Sequence, residues 1–185
     1  PDGGGGIALP DSGGCAPYEV IAARGTSELQ TTGSTIMGGL TRGIARQLNG
    51  AVYEARFPST ADYLNNPNIG ATDTINRIKS KSAQCPNTKF VLNGYSLGAM
   101  VMTVAMQRLP QDLHGKVVAV VLYGNPYYKS SSPAAAGSAK GFANGIMPLV
   151  GIPAGFANRT RDFCASGDPV CGAGVNVMAH LSYGT

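Results

Sequence analysis

Residues 88–109, TKFVLNGYSLGAMVMTVAMQRL, constrain the fold more than any other part of the chain. Phe90, Val91 and Leu92 form a short apolar run of strand type, the turn residues Gly94-Tyr95-Ser96-Leu97-Gly98 follow, and a long apolar segment without proline comes next. A chain that passes directly from a strand through Gly-x-Ser-x-Gly into a helix must turn sharply. The serine then holds a strained backbone conformation, and the positions two before and two after it leave no room for side chains. Gly94 and Gly98 meet that need, which makes Ser96 a candidate nucleophile rather than an ordinary turn serine.

Strands and helices alternate along the rest of the chain. Strands are expected at 18–24, 52–57, 90–92, 116–123 and 160–165, and helices at 34–48, 71–83 and 97–109. Residues 111–115 read as a loop, and 127–158 as a long Gly-, Ser-, Ala- and Pro-rich connection with one irregular helical turn. The helix after Ser96 is apolar on nearly every face and belongs in the middle of the molecule, with its methionines as core filler. This order predicts an α/β fold, a three-layer, doubly wound sheet of about five parallel strands, with its site outside their carboxyl ends. Residues 1–14 are expected to be a flexible N-terminal tail and 15–185 a single domain.

Composition excludes several function classes. The net charge of +4 is modest and its lysines and arginines are scattered, so no nucleic-acid partner is expected. The longest apolar run, 117–123, is far too short for a transmembrane helix. The first residues, PDGGGG, lack the features of a signal peptide, which reads as a processed, mature chain. Cys15, Cys85, Cys164 and Cys171 lack the close paired spacings of a zinc site, and disulfides are the better reading. Cys164 and Cys171 would close a small ring, and Cys15 could reach Cys85 if the N-terminal arm lies beside the strand that follows. Disulfides imply an oxidising compartment, and the sequon at Asn158 agrees with secretion.

A serine nucleophile needs a base, and the chain has two histidines. His114 precedes a strand and so falls at the wrong edge of a parallel sheet, whereas His180 follows the last strand and falls at the right one. Among the carboxylates, Asp112 shares the wrong edge, Asp162 points into or beside a strand, and Asp62 is the serious rival. Only Asp168, within the small cysteine ring, preserves the order Ser, Asp, His that accompanies such an elbow. The Leu97 N–H is aimed at the developing oxyanion, and the loop after the first strand nominates Thr26 or Ser27 for a second donor. Leu64, Ile69, Val170, Val175, Val177 and Leu181 are candidates to bind an acyl chain, with residues 146–153 as a further apolar rim.

Arg24-Gly25-Thr26-Ser27-Glu28, Gly94-Tyr95-Ser96-Leu97-Gly98-Ala99, Gly124-Asn125-Pro126 and Cys164-Ala165-Ser166-Gly167-Asp168-Pro169-Val170-Cys171, with His180 downstream, together resemble the cutinase family of fungal serine esterases. The likeness runs from Cys15 almost to the C-terminus. It implies an α/β-hydrolase-type fold with an exposed site and no large lid, the triad Ser96, Asp168 and His180, and an oxyanion hole from Thr26 and the amide of Leu97. It further implies disulfides Cys15 to Cys85 and Cys164 to Cys171. The expected protein is a secreted, monomeric esterase of cutin-type polyesters and short- to medium-chain esters, with no cofactor or metal. Most relatives carry glutamine after the nucleophile, where this chain has Leu97. An acetylxylan esterase of the same family, or a non-catalytic secreted binding module on such a scaffold, are the alternatives.

Overall fold

The computed structural model describes residues 14–185, so the tail expected at 1–14 lies, apart from Gly14, outside the described residues. Strands β1 (Tyr18–Ala23), β2 (Ala51–Glu54), β3 (Lys89–Tyr95), β4 (Val117–Tyr123), β5 (Ala135–Ala136) and β6 (Thr160–Phe163) form one sheet in the order β2-β1-β3-β4-β6-β5. Every neighbouring pair is parallel. Because β1 lies between β2 and β3, the chain winds outward to both sides of it, and a crevice opens beyond the carboxyl ends of β1 and β3.

Both faces of the sheet are covered, so the central strands read as nearly unbroken apolar runs. Val20 packs with Ala45 of α1 (Gly38–Gln47) on one face, while Ile21 and Ala23 pack on the other with Ala71, Ile75 and Ile78 of α2 (Asn66–Gln84) and with α3 (Leu97–Arg108). In α3 every residue from Leu97 to Met106 is buried, as its all-round apolarity predicts. Val118, in β4, nonetheless escapes cover. Val91 pairs with Ala119 while Phe90 pairs with Val117, so Val118 is the extra residue of a bulge and is exposed.

Several boundaries differ from those expected, for local reasons. Helix α1 starts at Gly38 rather than residue 34, because the Thr35 and Ile36 N–H groups donate to the Glu28 carboxylate. Strand β2 stops at Glu54 rather than 57, since the Arg56 N–H donates to Asp73 Oδ2 instead of continuing the ladder. Helix α2 begins at Asn66 rather than 71, with Pro67 in the first turn, where its missing N–H costs nothing. The sheet has a sixth strand, the two-residue β5, and residues 111–115 belong to a 3₁₀ turn, Gln111–Lys116. The disulfides join Cys15 to Cys85 and Cys164 to Cys171. The first fastens the start of β1 beside β3, where Thr88 Oγ1 also donates to the Ala16 carbonyl at 2.7 Å.

The elbow sits between β3 and α3. Ser96 holds φ 55° and ψ −116°, a conformation costing about 1–3 kcal/mol for a residue with a side chain. A Cβ at Gly94 would lie 2.4 Å from the Gly98 carbonyl oxygen, and one at Gly98 would lie 1.8 Å from the Ala23 carbonyl oxygen. Both contacts are with backbone, which cannot swing away, and the second is the closer. Gly98→Ala is therefore expected to cost at least about 3 kcal/mol, or about 6–12 °C in melting temperature. Calorimetry reads this directly, and a melting temperature within about 2 °C of wild type would show that the spacing of α3 and β1 is not so tight.

Candidate active site

Ser96, on its elbow at the end of β3, is 9% exposed, and its N–H is fixed by the Tyr123 carbonyl at 2.9 Å. His180 ends the short helix α4 (Val177–His180), whose preceding residue Asn176 accepts the Met178 N–H at 3.1 Å and so caps it. The Tyr95 hydroxyl donates to the His180 carbonyl at 2.7 Å, and the Tyr95 ring lies 5.1 Å from the imidazole, centroid to centroid. Room for the imidazole comes from Gly124, at φ +61°, where a Cβ would stand 2.7 Å from His180 Cε1.

His180 bridges the other two groups. Its Nε2 is 3.0 Å from Ser96 Oγ and its Nδ1 is 2.9 Å from Asp168 Oδ2. An ionised carboxylate only accepts, so Nδ1 carries the proton and Nε2 is left to accept from the serine hydroxyl. Asp168 is fully buried inside the cysteine ring, with Oδ1 accepting the Val170 N–H at 2.7 Å. Burial pushes its carboxyl upward, but hydrogen bonds from His180, Tyr183 and the Val170 N–H, together with the charge of His180, hold it below the ordinary value. An alcohol, an imidazole and a carboxylate in such a chain can move a proton off the alcohol.

The loop after β1 is wired by its charged residues. Arg24, buried, donates to the Glu28 carbonyl, Gln30 Oε1 and the Phe57 carbonyl at 2.7, 2.8 and 2.8 Å. Glu28 Oε1 accepts the Gly25 N–H at 2.9 Å and its Oε2 accepts the Thr35 N–H at 2.7 Å. The Ser27 N–H is taken by the Ser59 carbonyl at 2.7 Å, whereas the Thr26 N–H has no partner among the described residues. The Leu97 N–H, in the first turn of α3, likewise has no intrahelical partner. Its side chain is fully buried in the core beneath the elbow, so only its backbone faces the crevice.

A cavity of about 80 Å³ opens at Ser96, lined by Tyr63, Pro126, Ile146, Met147 and Val170. Of the apolar residues suggested by sequence, the structure brings Val170 and part of 146–153 to this cavity. Leu64, Ile69, Val175, Val177 and Leu181 do not line it and are exposed, Val175 at 94%. Tyr63, missed in the sequence, bonds Thr26 Oγ1 at 3.1 Å, and nothing in its local pattern marks that contact. A larger hollow of about 410 Å³ lies against Leu40, Tyr123, Phe163 and Tyr183, and neither Ser96 nor His180 lines it.

The remaining candidates stand apart. His114 Nε2 lies 2.8 Å from the Leu109 carbonyl oxygen and its ring packs on Phe156, at the amino end of β4. Asp62 is exposed and accepts the Asn65 N–H at 3.0 Å, near the start of α2. Asp162 is buried in β6, where Asn125 Nδ2 donates to it at 3.3 Å and burial raises its carboxyl to about 7. Among the described residues no group of three or more His, Cys, Asp or Glu side chains could hold a metal ion. No helix among them is long and apolar enough to cross a membrane.

A doubly wound parallel sheet with a serine on a strained elbow, an imidazole at its hydroxyl and a buried carboxylate behind defines a serine hydrolase of the α/β-hydrolase class. The cutinase family model matches residues 14–185, and the chain belongs to the cutinase family. It is 36% identical to Cutinase 4 of Emericella nidulans, covering 95% of this chain and 69% of that protein. It is 35% identical to Carboxylesterase Culp1 of Mycobacterium tuberculosis, over 91% of this chain and 75% of that one. A cutinase-like protein from Cryptococcus sp. superposes with a TM-score of 0.81 at 34% identity, covering 95% and 90% of the two chains. The chain is a serine carboxylic-ester hydrolase.

Asp168, held below its ordinary value of 3.8, stabilises the fold above that value and ceases to as pH falls through its lowered one. Asp168→Asn lacks this dependence. The expected stability deficit of the variant is about 2 kcal/mol at pH 7, shrinking below pH 3.8. Denaturant melts across pH check it, and a deficit constant with pH would contradict it.

Proposed function

We propose that Ser96 is the nucleophile, His180 the base and Asp168 the group that orients the imidazole. The observation that carries this is the unbroken chain Ser96 Oγ, His180 Nε2, His180 Nδ1, Asp168 Oδ2, with links of 3.0 and 2.9 Å, on a strained elbow. Ser96 attacks the ester carbonyl as its proton passes to His180, and the imidazolium then protonates the leaving alcohol. The acyl-enzyme is cleaved by water in the same way. The N–H groups of Thr26 and Leu97 receive the developing oxyanion, the second helped by the positive end of α3.

The substrates of this reading are cutin-type polyesters and short- to medium-chain soluble esters. The small apolar cavity at Ser96 favours a short acyl group, and the exposed Leu64, Ile69, Val175, Val177 and Leu181 suit contact with an apolar polyester surface. Two disulfides, and an exposed Asn158 within its sequon, support a secreted enzyme with a glycosylation site. The enzyme acts as a monomeric single domain over residues 15–185.

Ser96→Ala is expected to lower kcat/KM for nitrophenyl esters by at least about 10³-fold with the fold intact by circular dichroism. Hydrolysis near the wild-type rate would end the assignment. A chain-length series separates the alternatives: activity from acetate through medium chains is expected, and confinement to acetate would instead indicate an acetylated polysaccharide. Folded protein that no phosphonate ester labels would point to a binding module.

A further inference from the structure

The carboxylate oxygen of Asp168 that faces His180 has a second donor. Tyr183 Oη lies 2.6 Å from Asp168 Oδ2, the same atom that takes the imidazole. The direction of that hydrogen bond is fixed by the other neighbours of the phenol. The Ala165 N–H donates to Tyr183 Oη at 2.9 Å, which leaves the single phenolic hydrogen two places to go. Cys171 Sγ, at 3.4 Å, is a disulfide sulfur and a weak acceptor, so the carboxylate takes the hydrogen. Burial, and then the hydrogen bond to Asp168, push the phenol above its ordinary value, which favours the protonated, donating form. The ring is wedged between Tyr123 and Tyr95, at centroid distances of 5.8 and 6.2 Å, and meets the imidazole edge-on.

We propose that Tyr183 is a positioning residue for ester hydrolysis: its hydroxyl holds the Asp168 carboxylate in the plane of the imidazole and draws off part of the charge that would otherwise bind the imidazolium. This rests on the assignment of Ser96, His180 and Asp168 above. A buried carboxylate with the imidazole as its only side-chain donor would bind the imidazolium more tightly and pass its proton on less readily to the leaving alcohol. The backbone donors to Oδ1 fix one end of the carboxylate, and Tyr183 fixes the reacting end. The titratable groups facing Asp168 are His180 from α4, Tyr183 from the terminal turn and, without a hydrogen bond, Tyr95 from β3. Among the described residues no lysine or arginine contributes to its shift, and Tyr183 is the side-chain donor to Asp168 besides His180.

Tyr183→Phe removes the donor and keeps the ring. The expected result is a loss on the order of tenfold in kcat with KM within about twofold. The acid limb of kcat/KM should move to higher pH by about half a unit to one unit, because the freed carboxylate holds the imidazolium more firmly. Tyr95→Phe is the comparison: it deletes the hydroxyl bonded to the His180 carbonyl but no donor to the carboxylate, and its limb is expected to stay in place. Should phenylalanine loosen the terminal turn, 3-fluorotyrosine at position 183 keeps the shape while making the hydroxyl a stronger donor, and moves the limb to lower pH. A limb unmoved in both Tyr183 variants, whether or not kcat falls, overturns the proposal. Ser96→Ala, measured alongside, separates the outcomes: if it stays inactive, the nucleophile assignment stands although the role of Tyr183 has failed.

Discussion

The backbone of Gly98, in the first turn of α3, lies against the Ala23 carbonyl at the end of β1 with no space for a methyl group. Most of the site follows from that contact. It sets how close the helix comes to the sheet, and therefore how sharply β3 must turn, and the turn forces Ser96 into its positive φ. The same approach brings the start of α3, with its free Leu97 N–H, beside the loop that carries Thr26. The strain is sustained because α3 is buried along nearly its whole length, where each large apolar side chain contributes about 1.5–3 kcal/mol.

The loops that complete the site are held by buried polar atoms. Arg24 and Glu28 bond backbone groups on both sides of Thr26 and leave its N–H free. Gly124 clears a space for the imidazole, Asn176 caps the short helix that delivers it, and the Cys164–Cys171 ring turns Asp168 inward. Rigid parts on separate elements thus meet at one edge of the sheet. That is where the topology of a doubly wound sheet leaves its crevice.

The elbow was legible in the sequence because its requirement for glycine is local. The choice of His180 over His114 was legible because strand order alone assigns each to an edge of a parallel sheet. Thr26 and Ser27 could not be separated from their own positions, since the difference lies in the Ser59 carbonyl, 32 residues on, which occupies the Ser27 N–H. Tyr183 was invisible for the same reason: its hydroxyl acts on a carboxylate 15 residues earlier, through a loop whose path no periodicity encodes. The apolar candidates were only partly informative. Val170 and Val175 look alike in sequence, but Val170 is tied to the Asp168 carboxylate and turned to the cavity, while Val175 stands in solvent. The start of α2 is hidden in the sequence because Pro67 and the asparagines around it resemble a loop, although proline in a first turn suits a helix.

If the strained elbow presents an activated Ser96 to an ester, a reagent that mimics the tetrahedral intermediate should be captured there. Incubation with an alkyl nitrophenyl phosphonate, followed by intact-mass measurement and peptide mapping, tests this most directly. One covalent adduct per chain, on Ser96, forming much more slowly in His180→Ala, is the predicted result. An adduct on another residue, or labelling of Ser96 at an unchanged rate without His180, would contradict the account.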